Sequence, residues 1–170
     1  MTHTPSPSVT PAKRVVDELT ARGQTVSVAE SLTGGLVSAA LVTVPGSSSV
    51  FRGGIVAYSV ELKKELVGVP GEVIDAHGVV SGEVARALAE GVRRRCGTDW
   101  GIGTTGVAGP ESHGGQSPGV VWLAVSGPDD EVARRYRFSG DREHVHAASV
   151  ERVLYLLDGL LHASSATESD

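Results

Sequence analysis

The placement of the glycines constrains this chain more than any other feature. They number 22 in 170 residues, against a usual share of about 7%, and most of the excess lies beside short β-branched runs. Gly34 and Gly35 follow the alternating run TVSVAE, Gly53 and Gly54 open GGIVAYS, and Gly101, Gly103, Gly106 and Gly109 punctuate WGIGTTGVAGP. Alternating β-branched residues bounded by glycine are strand signals. Helical patterns separate them. Val15, Val16 and Leu19 share one face of a helix over 12–21, closed by Gly23, and LVSAALVTV makes a small-residue helix stopped at Pro45 and Gly46. Leu62, Leu66 and Val67 keep helical spacing, and further helices are expected over 82–95 and 142–162. Residues 119–125 and 132–138 read as two strands joined at the turn Gly127-Pro128-Asp129-Asp130, while VPGEVIDAHG and ESHGGQSPG read as loops, the second a flexible one. Strands alternating with helices, then a late hairpin, predict one α/β domain over 12–162, with three α/β/α layers and a mixed sheet. Residues 1–11 and 163–170 are expected to be disordered tails, and no internal repeat is present.

Composition narrows the class. With 40% hydrophobic residues the chain can build a core, and the charge sum of 15 − 20 = −5 disfavours an electrostatically driven nucleic-acid binder. The single cysteine, Cys96, rules out an internal disulfide framework. The polar opening MTHTPSPSVTPAKR lacks the apolar core of a signal peptide, and no apolar run reaches the ~18 residues a membrane span needs. A cytoplasmic protein without membrane contact is expected, and no His/Cys/Asp/Glu cluster has metal-ligand spacing.

Several side chains could carry chemistry. Ser31 follows a strand and precedes Thr33, Gly34, Gly35 and a helix, a place where free N–H groups face a bound anion or an oxyanion. It is equally placed to be an ordinary helix cap, which from spacing alone is the simpler role. A serine nucleophile needs a base. Of the six histidines only His77 is placeable, because His3 lies in the tail, His113 in a loop, His144 and His146 on different helix faces, and His162 near the end. A desolvated lysine is the other route, and Lys63 and Lys64 follow the strand GGIVAYS; alone, they also fit a solvated helical turn paired with Glu61 and Glu65. The string GIGTTG matches a dinucleotide fingerprint in form only, since Gly109, Pro110 and a loop follow where a helix is required. Its glycines still allow backbone amides to approach an anion or a planar ligand.

Taken together, the motifs form an ordered series: AESLTGG at 29–35, PGSS at 45–48, GGIVAYS at 53–59 with Lys63, HGVVS at 77–81, TGVAGP at 105–110, PGVVW at 118–122 and GDR at 140–142. The series resembles the CinA C-terminal domain family, the nicotinamide-nucleotide amidohydrolases, across nearly the whole folded part. The resemblance implies metal-free hydrolysis of nicotinamide mononucleotide to nicotinate mononucleotide and ammonia, without a cofactor, by a serine/lysine pair. The motif serine falls on Ser31 and the motif lysine on Lys63, with Tyr58 on the same strand-to-helix segment as a proton relay. For substrate binding it suggests Glu30 against the pyridinium charge or, equally, in a buried structural hydrogen bond. Backbone amides of Thr33, Gly34, Gly35, Thr105 and Gly106 are expected around the amide oxygen, with the Thr105 hydroxyl donating to the ligand. Arg142 is expected near the phosphate, as are Ser47 and Ser48, which support the site or merely form the turn after Pro45-Gly46. Some family members carry this domain behind a molybdopterin-binding-like one; the present length suggests the stand-alone form. One position departs from the family pattern: Tyr-Ser-Asn is usual, and here Val60 stands third, leaving Ser59 to cap the next helix or the site to differ. A non-catalytic nucleotide-binding module on the same scaffold is the alternative that Val60 favours. Self-association into a homo-oligomer is expected through the apolar last helix and the small-residue helix over 35–41.

Overall fold

The structure, a computed structural model, describes the backbone of residues 9–167 and the side chains of 9–163. Helix α1 (Pro11–Arg22) starts with Thr10, whose side chain accepts from the Lys13 N–H, and ends at left-handed Gly23. Strand β1 (Val26–Glu30) leads to α2 (Leu36–Val42), a short 3₁₀ turn (Ser47–Ser49) and β2 (Phe51–Val56). A single helical turn, α3 (Val60–Leu62), continues as a π turn (Lys63–Val67), followed by α4 (Gly71–His77) and α5 (Gly82–Cys96). Strands β3 (Trp100–Gly106), β4 (Val120–Ser126) and β5 (Glu131–Arg137) precede α6 (Arg142–Thr167).

The sheet order is β2-β1-β3-β4-β5, with β1 parallel to both β2 and β3, and β4 and β5 antiparallel additions. The mixed sheet is covered on both faces, giving the three α/β/α layers. The period-2 alternation of β1 and β3 points Val26, Val28, Trp100 and Ile102 at α1, α2 and α6, where they bury with Leu19, Val37 and Leu157. The opposite face meets α5, whose Val84, Leu88 and Val92 pack with Ala29 and Ala57. Gly101 and Gly103 lie on that face, and their purpose is helix packing. A Cβ on either would come within 2.1 Å of the Ala89 carbonyl oxygen or 2.3 Å of that of Ala85, so α5 lies directly on the β3 backbone. The expectation that these two glycines approach a ligand is therefore corrected; of the glycines in the string only Gly106 lines the site.

Three boundaries also differ from expectation. The stretch read as the loop VPGEVIDAHG contains α4, a helix that Pro70 and Gly71 begin rather than interrupt. Strand β2 starts at Phe51, two residues before the expected Gly53, and ends at Val56, three before the expected Ser59. Helix α6 runs to Thr167, past the expected domain end at 162, because no Gly or Pro stops it between His162 and Thr167. The remaining tail residues, 1–8 and 168–170, lie outside the described ones.

Candidate active site

The carboxyl ends of the three parallel strands β1, β2 and β3 lie side by side. From β1 the chain crosses through α2 to β2 on one side, then returns through α3 to α5 to β3 on the other. Such a reversal opens a crevice between strand ends, the usual ligand position in open α/β sheets. Here a cavity of 570 Å³, within the range for small-molecule sites, is lined by Ser31, Tyr58, Lys63, Thr105, Gly106 and Arg142 among others. These six come from four separate motifs of the sequence.

Ser31 is the first residue beyond β1 and is buried. Its N–H donates to the Thr104 carbonyl at 3.1 Å and to Thr104 Oγ1 at 3.2 Å, which pins the nucleophile turn to β3. Ser31 does not cap α2, whose N-cap residue is Gly35. Its hydroxyl instead faces Lys63, with Nζ 3.0 Å from Oγ. Lys63 is only 1% exposed. The same Nζ donates to the carbonyls of Ala57 at 2.9 Å and Tyr58 at 3.2 Å. Burial pushes its pKa down from 10.5 to about 8, and the Glu61 carboxylate opposes the shift. The neighbouring Lys64 has no part in the depression. The arrangement suits a neutral amine: two N–H bonds go to the two carbonyls, and the lone pair is left to accept the Ser31 proton. The π turn begins at Lys63 itself, and left-handed Gly68 closes it.

The amides around Ser31 divide into bonded and open ones. Gly34 N–H donates to the Ser31 carbonyl and Leu36 N–H to that of Thr33. The N–H groups of Leu32, Thr33 and Gly35 donate to nothing among the described residues, and of these only Leu32 lines the cavity. The Leu32 N–H, rather than that of Gly34, is therefore the donor open to an oxyanion in the cavity.

Glu30 is fully buried but turned away from the cavity. Alternation along β1 puts it on the same face as Val26 and Val28, toward α2. Its Oε1 accepts from Thr33 Oγ1 at 2.7 Å and Val37 N–H at 2.8 Å, and its Oε2 from Ser38 N–H at 3.0 Å and Ser38 Oγ at 2.8 Å. The carboxylate thus caps α2, which lacks a capping side chain at Gly35. Of the two roles expected of Glu30, the buried structural hydrogen bond is the one present, and its assignment to the substrate ring is corrected. Thr33 serves the same network, bonding Thr104 Oγ1 at 2.9 Å as well, and with Gly34 and Gly35 it lies outside the cavity lining. Ser47 and Ser48 sit before β2, at the amino end of a strand whose carboxyl end forms the site. The strand rise of ~3.3 Å per residue puts them about 15–20 Å away, so they are not phosphate contacts in this chain.

Thr105 lines the cavity with its hydroxyl donating to the Val79 carbonyl at 2.8 Å, so the expected hydroxyl bond donated to the ligand is corrected: with its proton engaged, Thr105 Oγ1 accepts. Arg142 reaches over from the start of α6. Its Nη1 donates to the Gly109 carbonyl at 2.8 Å and its Nη2 to Tyr58 Oη at 3.2 Å. Val60 also lines the cavity, while Ser59 Oγ accepts the Leu62 N–H at 3.1 Å, so the helix keeps its cap without the usual Asn. Sequence reasoning missed Thr104, which carries no motif signal, and Val79, Val80 and the segment 107–113, which complete the lining. It also discounted His113, which lines the cavity, whereas His77 lies outside it, 3.9 Å from Glu83. The signal for ordered structure was the Gly114-Gly115 pair. Both have positive φ, 56° and 73°, and His113 and Gln116 exchange backbone bonds of 3.1 and 2.9 Å across them, a tight turn rather than a flexible loop.

The CinA C-terminal domain family model matches residues 9–161. The chain belongs to this family. Among similar proteins, a CinA-like protein of Parasynechococcus marenigrum is 52% identical over 139 residues, covering 81% of this chain and 33% of its own length. A putative competence-damage inducible protein of Listeria welshimeri is 44% identical, covering 89% and 37%. This CinA C-terminal domain therefore spans about a third of the length of the curated relatives it matches. Solved structures match over most of both chains. A CinA superfamily protein from Klebsiella pneumoniae superposes with a TM-score of 0.86 at 32% identity, over 90% of this chain and 96% of that one. A competence/damage inducible protein from Agrobacterium tumefaciens gives 0.85 at 32%, over 94% and 99%. Among the described residues, no group of three or more His, Cys, Asp or Glu is placed to hold a metal ion, and no helix is long and apolar enough to cross a membrane.

Proposed function

We propose that this CinA C-terminal domain is an amidohydrolase that converts nicotinamide mononucleotide to nicotinate mononucleotide and ammonia. The observation that carries the chemistry is the 3.0 Å approach of a buried lysine, its pKa lowered to about 8, to a serine hydroxyl lining a ligand-sized cavity. The substrate comes from the family motifs, to which the amidohydrolase activity attaches. Neutral Lys63 takes the proton of Ser31 Oγ as the oxygen bonds to the carboxamide carbon, and the oxyanion faces the amide of Leu32. Protonated Lys63 returns that proton to the nitrogen, the C–N bond breaks, and ammonia leaves an ester on Ser31. Water, deprotonated by the same amine, hydrolyses the ester and restores both side chains. Thr105 accepts from the substrate amide, and Arg142 faces its phosphate.

The test is ammonia release from nicotinamide mononucleotide without added metal, with nicotinamide, nicotinamide riboside and glutamine as controls. Turnover of the nucleotide is expected, and Ser31→Ala lowers it by a factor on the order of 10³ or more while the melting temperature holds. Thermal stabilisation by the nucleotide without ammonia would instead identify a binding module.

A further inference from the structure

Arg142 and Ser31 lie at the two ends of one continuous set of contacts. Arg142 Nη2 donates to Tyr58 Oη at 3.2 Å, the Tyr58 carbonyl accepts from Lys63 Nζ at 3.2 Å, and Lys63 Nζ lies 3.0 Å from Ser31 Oγ. Tyr58 thus touches the cation at the far wall with its side chain and the amine with its backbone. Both Tyr58, at 60% exposed, and Arg142 stand largely in solvent, whereas Lys63 and Ser31 are buried. The exposed end of the set is therefore the end that a ligand entering from solvent meets.

We propose that an anion bound at Arg142 activates the Ser31–Lys63 pair through Tyr58, so that the phosphate of the substrate is an activator as well as a handle. This rests on the amidohydrolase reading above and adds to it a use for the remote group. An exposed guanidinium moves among many positions; an anion on its free edge fixes it by charge-assisted bonds. A fixed Arg142 holds the Tyr58 hydroxyl, and the Tyr58 carbonyl then holds one N–H of Lys63, aiming the lone pair at the serine hydroxyl. Lost freedom at the catalytic pair is compensated by binding energy from a part of the substrate that does not react. The bond from Arg142 Nη1 to the Gly109 carbonyl fixes the cavity's third wall by the same event. Tyr58 is in this respect a positioning residue, acting on the reaction through Lys63.

The coupling is read in trans. With the full chain and nicotinamide riboside, which lacks the phosphate, inorganic phosphate at saturating concentration accelerates ammonia release by about tenfold, within the ~5–150-fold range of such couplings. In Tyr58→Phe the ratio of rates with and without phosphate falls to one, although phosphate still competes with the nucleotide for Arg142. The same variant lowers kcat for the nucleotide with little change in KM and none in melting temperature, a split that loss of structure would not produce. For the nucleotide, the kcat losses of Tyr58→Phe and Arg142→Gln combine to less than their product in the double variant. No acceleration in the wild type, acceleration that survives Tyr58→Phe, or multiplicative losses would overturn the coupling while nucleotide turnover leaves the amidohydrolase reading standing. Absence of ammonia from the nucleotide itself overturns that reading and the coupling with it.

Discussion

Ser31 is flanked by two buried ionisable groups that behave in opposite ways. Glu30 is 0% exposed and Lys63 is 1% exposed, so burial does not separate them. Both oxygens of Glu30 are met by donors from α2 and its approach, four bonds of 2.7–3.0 Å. Lys63 has two carbonyls for its hydrogens, and its remaining direction faces a hydroxyl at a cavity. A carboxylate surrounded by fixed donors is an anchor. An amine desolvated beside a nucleophile and left one free valence is a base. What distinguishes the two flanks is unsatisfied capacity, and it is the better guide to chemistry than depth in the protein.

Substitutions separate the flanks further, and the largest effect belongs to the lysine. Lys63→Arg removes activity by a factor on the order of 10³ or more, because guanidinium stays protonated at any accessible pH. An assay of ammonia release beside a melting curve shows activity gone with the fold intact; retained turnover would reduce Lys63 to a structural role. Glu30→Ala acts the other way round. It leaves four donors without their acceptor at the start of α2, and unfolding in urea should show a loss of about 3 kcal/mol or more. If stability holds while activity disappears, the two flanks share one role and the contrast fails.

The pH dependence of stability is a smaller and sharper comparison. Lys63 titrates near 8 when folded and near 10.5 when unfolded, so between those values the unfolded chain binds more protons on this group. Stability therefore rises with pH across that window, and the favourable term disappears as pH falls toward 8. Denaturant unfolding of the wild type against Lys63→Met should show this rise in the first and not in the second. The smallest effect expected is at the cap: Ser59→Ala costs about 1 kcal/mol by freeing the Leu62 N–H, with Val60 unable to replace it.

How far these features are legible in the sequence follows from particular residues. The strands and the long helices are carried by periodicity and glycine punctuation, which are local signals. Ser31 and Lys63 are 32 positions apart, and the ordered motifs place them on strand ends that the parallel pairing of β1 and β2 then brings together. Ser47 and Ser48 mislead because a motif records order along the chain and not which end of a parallel strand a residue occupies. Glu30 misleads for want of parity: two steps beyond Val28, it shares the face that meets α2. The glycines at 101 and 103 look like a ligand loop because sequence does not say that α5 lies against them at carbonyl distance. Helix α4 was hidden by Pro70 and Gly71, residues that start helices as readily as they form loops.

The central claim is that Lys63 acts as a neutral base on Ser31, and the pH profile of kcat/KM for ammonia release from nicotinamide mononucleotide tests it most directly. Between pH 6 and 9.5 the rate should rise about tenfold per pH unit and then level off around an ionisation near 8, as the buried amine loses its proton. A profile that stays flat across that interval, with Lys63 intact, would contradict it.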